Sequence, residues 1–255
     1  MSATPPTGRQ HRLRTWLATP LGQALLQQEA HLVEEALDGV FGEHCVQLGH
    51  WGEAHAFLRF ARTQRSVCVA ADTSGAAPPD AIGCLHRLPL VSESMDAVIL
   101  PHTLELSSRP HAILREVTRV LRAEGRLIVL GFKPGGLWGL RRLIPGAGMP
   151  PAVDKLISDR TLSDWLQLLD LHIHGVSRYF FRWPLPGNRG GASRAWEERG
   201  RRWWPELAAC YMLSAQKRVV ALTPLKKPWR ARPKVVGGLV KPTTRVIYGN
   251  FDQNS

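Results

Sequence analysis

The chain has little cysteine. Its 255 residues hold four, Cys45, Cys68, Cys84 and Cys210, widely spread and with no C-x-x-C pair. Disulfides or a zinc site are the less favoured readings. Cys45 and Cys68 sit inside apolar segments, so buried, reduced thiols are expected. Long hydrophobic runs are missing too: none approaches the roughly 18 residues of a membrane span. The opening stretch, Met1 to Arg14, is polar, basic and Pro-containing. No apolar segment follows it, so no signal peptide is expected and a cytoplasmic location is. Internal repeats are absent. Acidic residues are scarce in one region only. Residues 171–255 hold 4 Asp/Glu against 16 Lys/Arg, whereas residues 1–170 hold 17 of each. The whole net charge of +12 therefore belongs to the last third. A segregated basic region can attract RNA or an anionic surface, or can simply be a solubilising face.

With 44% hydrophobic and 21% charged residues, the composition suits a globular chain with a sizeable core. Thr19-Pro20 is a helix start, with Thr as N-cap and Pro at the first helical position. Leu21, Leu25, Leu26, Val33, Ala36 and Leu37 recur at helical spacing until Asp38-Gly39. Short apolar runs then alternate with turns and helical patterns. They are Cys45–Leu48, Val67–Ala71, Ala97–Leu100 and Leu127–Leu130. Phe57, Leu58 and Phe60 suggest a helix after the first run. Pro110 opens another, with Ile113, Leu114, Val117, Val120 and Leu121 on one face. Apolar runs alternating with helices predict a parallel sheet covered on both faces. Further on come a helix around Leu162–Leu169, a strand over His172–Phe181, a loop over Trp183–Gly200 and a last strand over Ala209–Ala221. The tail beyond Thr223 is basic and Pro-punctuated, and loose order is expected there.

The stretch Leu88-Pro89, Ser94-Met95-Asp96-Ala97-Val98-Ile99, His102-Thr103-Leu104-Glu105, Leu114 to Leu121 and Gly125 to Val129 resembles the type 11 branch of class I S-adenosylmethionine-dependent methyltransferases. That family reads L-P-f-x-x-x-S-f-D-x-v, then E-x-x-R-v-L-x-p-G-G-x-l. The resemblance runs from about Val46 to Val129 and weakly on to Val219. It implies an α/β, Rossmann-like fold: a seven-stranded, mostly parallel sheet with helices on both faces. It also implies S-adenosyl-L-methionine as cofactor, bound at the carboxyl ends of the strands. The expected division is an N-terminal helical extension over 1–42, a methyltransferase-type domain over 43–222 and a basic tail over 223–255.

The resemblance also assigns site residues. The family's loop D-x-G-x-G-x-G falls on Gln47-Leu48-Gly49-His50-Trp51-Gly52-Glu53. Gly49 is kept, two glycines become Trp51 and Glu53, and the leading acid becomes Gln47. Gly49, His50 and Trp51 are expected at the cofactor, with Trp51 either covering it or filling the pocket. Asp72, ending the second strand, is expected to receive the two ribose hydroxyls; the alternative is a turn-capping carboxylate. Leu85 is expected against the adenine, next to Cys84, which stands where the family often has an acid. His102 is expected beside the methyl donor, as a base or as a group orienting the acceptor. Glu105 would cap or brace the neighbouring helix.

Methyl transfer from a sulfonium is an in-line displacement, so the protein mainly positions donor and acceptor. No catalytic triad is needed, and the acceptor is not legible. The worn loop leaves a second reading open, a non-enzymatic basic binding module on the same fold. His172 and His174 share a strand face without further ligands, so no metal is expected. Arg194, Arg199, Arg201 and Arg202 interleave with Trp196, Trp203 and Trp204. That segment could stack bases and bind phosphates, cover the substrate, or be a plain amphipathic surface.

Overall fold

A computed structural model describes residues 7–53, 55–72, 78–136, 138–139, 153, 155–182 and 194–218. The chain divides into two compact units, Met1–Val219 and Val220–Ser255. The second, with the whole basic tail, lies outside the described residues.

The first unit is a seven-stranded sheet. In chain order the strands are β1 (Phe41–Leu48), β2 (Arg62–Ala70), β3 (Ala81–Ile82), β4 (Met95–Pro101), β5 (Leu121–Phe132), β6 (Leu171–Tyr179) and β7 (Cys210–Lys217). Their order across the sheet is β3-β2-β1-β4-β5-β7-β6. The first five pair in parallel, and β7 runs antiparallel to both β5 and β6. The order turns between β1 and β4, where an open α/β sheet leaves a crevice at its carboxyl ends. This is the fold class that the sequence predicted.

Alternation along the central strands splits the core in two. On β4, Ala97 and Ile99 face one layer while Val98 and Leu100 face the other. The first layer is closed by helix α2 (Pro20–Leu37), through Leu25, Val33 and Leu37. The second is closed by α4 (Pro110–Val120), through Ile113, Leu114 and Val117, and by α5 (Asp159–Gln167), through Leu162 and Leu166. Each fully buried Leu or Val stabilises the fold by about 1.5–3 kcal/mol relative to its exposed state.

Helix α2 begins as its sequence dictates. The Thr19 side chain accepts the Gly22 N–H at 3.2 Å, and Pro20 occupies the first turn. Helix α1 (Thr7–Leu17) precedes it, in a stretch where the sequence suggested only a polar segment. A Cβ on Gly22 would lie 2.5 Å from the Trp16 carbonyl oxygen, so the glycine lets α1 and α2 meet closely.

Other differences are local. The helix suggested by Phe57, Leu58 and Phe60 is a single 3-10 turn, Leu58–Phe60. β3 is a two-residue edge strand. A short α3 (Thr103–Leu106) follows β4. Part of the segment read as a loop over Trp183–Gly200 is helix α6 (Arg194–Trp203), and 183–193 lie outside the described residues. No described helix is long and apolar enough to cross a membrane.

Candidate functional site

A cavity of about 300 Å³ opens at the carboxyl ends of β1 and β2. Gly49 and His50 follow β1 and form one side. Ala70 to Asp72 end β2 and form the next. Cys84 to His86 follow β3, and Thr103 lies at the start of α3. Leu13, Arg14 and Leu17 of helix α1 line it as well. The volume stands at the lower end of the roughly 300–1,000 Å³ usual for small-molecule sites.

Backbone geometry explains Gly49. Its φ is +93°, and a Cβ there would lie 2.8 Å from Thr103 Oγ1. Only glycine takes that conformation at little cost. The Thr103 hydroxyl donates to the Leu48 carbonyl, tying the β1 turn to the end of β4. Gln47 is fully buried in place of the family's acid. Its Nε2 donates to the Gly49 carbonyl at 3.1 Å, while its Oε1 is buried without a partner. The glutamine thus braces the turn from beneath. His50 Nε2 lies 3.0 Å from the Asp72 carbonyl oxygen, joining the β1 and β2 ends. Asp72 is half-buried, and Leu85 is half-buried between the exposed Cys84 and His86. Cys84 Sγ sits 3.1 Å from the His86 ring nitrogens.

Four of the six expected cofactor residues, Gly49, His50, Asp72 and Leu85, therefore line one cavity. Trp51 and His102 do not, and both expectations need correction.

Trp51 is 0% exposed and packs into the α2 layer. Its ring stacks on His102 at 4.0 Å between centroids and meets the edge of Phe132 at 5.9 Å. Its Nε1 donates to Glu29 Oε2 at 2.6 Å. A large apolar ring with one polar atom gains more inside, once that atom has a buried acceptor. Trp51 fills the interior and does not cover a ligand.

His102 is equally buried, and both ring nitrogens are taken. Nδ1 lies 3.0 Å from Glu105 Oε2 and Nε2 lies 2.9 Å from Glu29 Oε1. Burial opposes the charged ring, yet the Glu29 and Glu105 carboxylates outweigh it and push its pKa up to about 9. A base must be free to take a proton from an acceptor. This imidazolium has its proton already and offers no open face, so the role of catalytic base does not fit it. Its backbone is unusual as well, with φ of +53°, the left-handed region that a histidine seldom enters. Glu105 braces the β5 end, as its Oε1 accepts the Phe132 N–H at 2.6 Å. Burial raises the Glu105 pKa.

Glu29 organises this cluster, and the sequence reading missed it. One carboxylate on α2 receives the Trp51 N–H, the His102 ring and, at 3.1 Å, the Tyr179 hydroxyl. Its signal was present: Glu29 stands four residues from both Leu25 and Val33, on the apolar stripe. A charge there must find partners inside. Arg14 and Thr103 were missed for another reason, since only the folded chain shows that α1 reaches the cavity. The His172 and His174 rings lie 5.7 Å apart, and no described group of three or more ligands could hold a metal.

Residues 52–129 match the family described as methyltransferase domain. The strand order above agrees with that match: over 52–129 by sequence, and across the sheet by fold, the chain is similar to class I methyltransferase domains. A stretch of 154 residues is 32% identical to YafS of Escherichia coli, an uncharacterised protein, covering 59% of this chain. The match spans 60% of that relative's length. A S-adenosylmethionine-dependent methyltransferase of Thermotoga maritima superposes with a TM-score of 0.55 at 17% identity, over 82% of this chain and 99% of the other. Geranyl diphosphate C-methyltransferase of Streptomyces coelicolor, solved with S-adenosyl-L-homocysteine, gives 0.51 at 15% identity, over 76% and 77%. At these identities the structures speak for the fold.

Proposed function

We propose that the chain transfers a methyl group from S-adenosyl-L-methionine, held in the cavity at the ends of β1 and β2. The observation that carries this is the convergence of Gly49, His50, Asp72 and Leu85 on one cavity, in the order the fold presents them. The residues fit the cofactor's parts. Gly49, with no Cβ and positive φ, leaves its backbone open to close approach. The Asp72 carboxylate can accept both ribose hydroxyls. Leu85 gives the adenine an apolar wall and a backbone N–H. When bound, the cofactor supplies a carbon already activated by its sulfonium, so the chain's task is to position it and exclude water. Arg14 and Leu17 of α1 add to the wall of the cavity.

The site differs from a fully equipped one at Gln47 and Cys84, which replace two acids. Binding weaker than in family members with the full glycine loop follows from those losses. Titration calorimetry with S-adenosylmethionine and its demethylated product tests the reading. Absence of heat at millimolar ligand would abandon it in favour of a basic binding module on this fold. The acceptor is unassigned, and the basic last third extends the proposal to an anionic partner, RNA or an anionic surface. A cytoplasmic setting is part of the same proposal.

A further inference from the structure

Helix α6 leaves two neighbouring indoles in water. Trp203 is 68% exposed and Trp204 54%, whereas the other described tryptophans, Trp16, Trp51, Trp138 and Trp165, are buried or half-buried. This outward aim is fixed by how the helix docks. Gly200 faces inward, and a Cβ there would run into the Phe181 ring, so the helix lies flat on it. Glu197 is buried beside it, its carboxylate accepting the Phe181 N–H at 3.2 Å and lying 3.6 Å from Arg182 Nε. With Glu197 and Gly200 turned in, Arg199, Arg201, Arg202 and Trp203 are all exposed; of the exposed acids nearby, Glu198 lies on the helix and Glu206 beyond it is paired with Lys133 and Arg178. A wholly solvated surface would not place two of the largest apolar side chains side by side.

The place of the helix matters as much. α6 joins β6 to β7, and β6 runs in the direction of β5, because each is antiparallel to β7. The helix therefore follows the carboxyl end of β6, on the end of the sheet that carries Gly49, Asp72 and the cavity.

We propose that Trp203, Trp204, Arg199, Arg201 and Arg202 dock this domain on an anionic lipid bilayer, with the cavity end of the sheet turned toward the membrane. Indoles prefer the bilayer interface, where ring and N–H are both satisfied, and arginines beside them meet lipid phosphates. RNA would use the same charges, but it is bound by grooves that track a backbone and by platforms on which bases stack. Here Arg199, Arg201, Arg202 and Trp203 are exposed on one short helix, with Trp204 directly after it. A planar surface needs no groove. The helix itself, with Arg194, Arg199, Arg201 and Arg202 against Glu197 and Glu198, has the matching sign. Docking goes beyond the methyltransferase reading; its corollary, an amphiphilic acceptor presented by the membrane, rests on that reading.

The test is vesicle flotation with the full chain, using phosphatidylcholine mixed with phosphatidylglycerol, phosphatidylcholine alone, and a single-stranded oligoribonucleotide in parallel. Binding is expected to the anionic vesicles and to weaken with salt. Arg199→Gln, Arg201→Gln and Arg202→Gln together should weaken it on the order of a hundredfold, about fivefold per cation. Trp203→Ser with Trp204→Ser should weaken it by roughly tenfold or more, the scale of burying part of two indoles. Since these residues are exposed, both variants should unfold like the parent. The proposal is overturned if the parent floats with neither vesicle, if the indole pair can be removed without effect, or if these residues govern RNA binding only. Calorimetry with S-adenosylmethionine on the same samples separates the two readings. Loss of cofactor binding in the parent ends the methyltransferase reading and leaves the docking result standing.

Discussion

Two regions at the carboxyl end of the sheet have opposite characters. Around β1, β2 and β3 the chain leaves a cavity, walled by half-exposed residues and a glycine of positive φ. Around β4 and β5, where His102 follows the strand, the same end is filled. Trp51, His102 and Phe132 pack ring on ring, and Glu29 on α2 ties them to Tyr179. The difference teaches how one sequence block can keep its motif and change its use. His102 stands at the family's position, but Trp51, replacing a loop glycine, brings a ring that needs a neighbour and an N–H that needs an acceptor. Glu29 supplies the acceptor, and its charge in turn holds the histidine protonated. The open region gathers Gly49, His50, Asp72 and Leu85 on one cavity, and the closed one is a polar clamp within the core.

Breaking the clamp should have the largest effect. Glu29→Ala leaves the His102 charge with one carboxylate, and the Trp51 N–H and Tyr179 hydroxyl with no acceptor from α2. Removing one partner of a buried ion pair costs about 3–5 kcal/mol. Urea unfolding should show a midpoint lowered accordingly. A near-normal midpoint would mean that α2 is dispensable to the closed region. The same clamp carries a pH signature. The folded-state pKa of His102 is raised from 6.5 to about 9 by Glu29 and Glu105 against the pull of burial. Its proton thus stabilises the fold fully below about pH 6.5, and that contribution is lost as pH rises through about 9. Glu105, raised by burial, acts in the same sense. Stability should therefore fall across this window in the parent, with a shallower slope in Glu29→Ala.

On the open side the effect should be on binding and not on folding. Asp72→Ala removes a charge-assisted acceptor from a half-buried position, about 1.5–3 kcal/mol, or roughly ten- to a hundredfold in affinity for S-adenosylmethionine. Calorimetry reads the affinity, and a thermal melt should stay close to that of the parent. Equal affinity in a well-folded variant would show that Asp72 serves only its own turn. Trp51→Phe provides the cross-check. It should weaken the fold by depriving Glu29 of a donor, while cofactor affinity changes little, since Trp51 does not line the cavity.

How much of this was legible follows from what each residue needs locally. Leu127 to Leu130 and Ala97 to Leu100 read as strands buried on both faces, because each run is short, carries β-branched residues and lies between helical patterns. Thr19-Pro20 had to start a helix. Gly49, Asp72 and Leu85 fell on one cavity because strand ends and sheet order alone bring them together. Trp51 and His102 were misplaced because their environment is set by Glu29, which lies more than seventy residues from His102 in sequence. A carboxylate on the stripe of Leu25 and Val33 announces a buried partner but not which one. Helix α1 stayed hidden because its stretch is polar, with no apolar period to mark it.

The smallest effect sharpens the comparison from the open side, by addition instead of removal. Cys84 occupies the position where the family often carries an acid for the adenine amino group, and its thiol is a poor acceptor. It is exposed on the cavity wall, so changing it disturbs no packing. The neighbouring His86 ring, 3.1 Å from Cys84 Sγ, could steady a carboxylate placed there. Cys84→Asp should therefore add one hydrogen bond to the adenine, about 0.5–1.5 kcal/mol, or severalfold tighter cofactor binding. S-adenosylhomocysteine should gain equally, because both ligands share the adenine, whereas an analogue lacking the exocyclic amino group should gain nothing. If all three ligands gained alike, the new charge would be acting at a distance. If none gained, the adenine would lie elsewhere, and the assignment of Leu85 to its wall would fail with it.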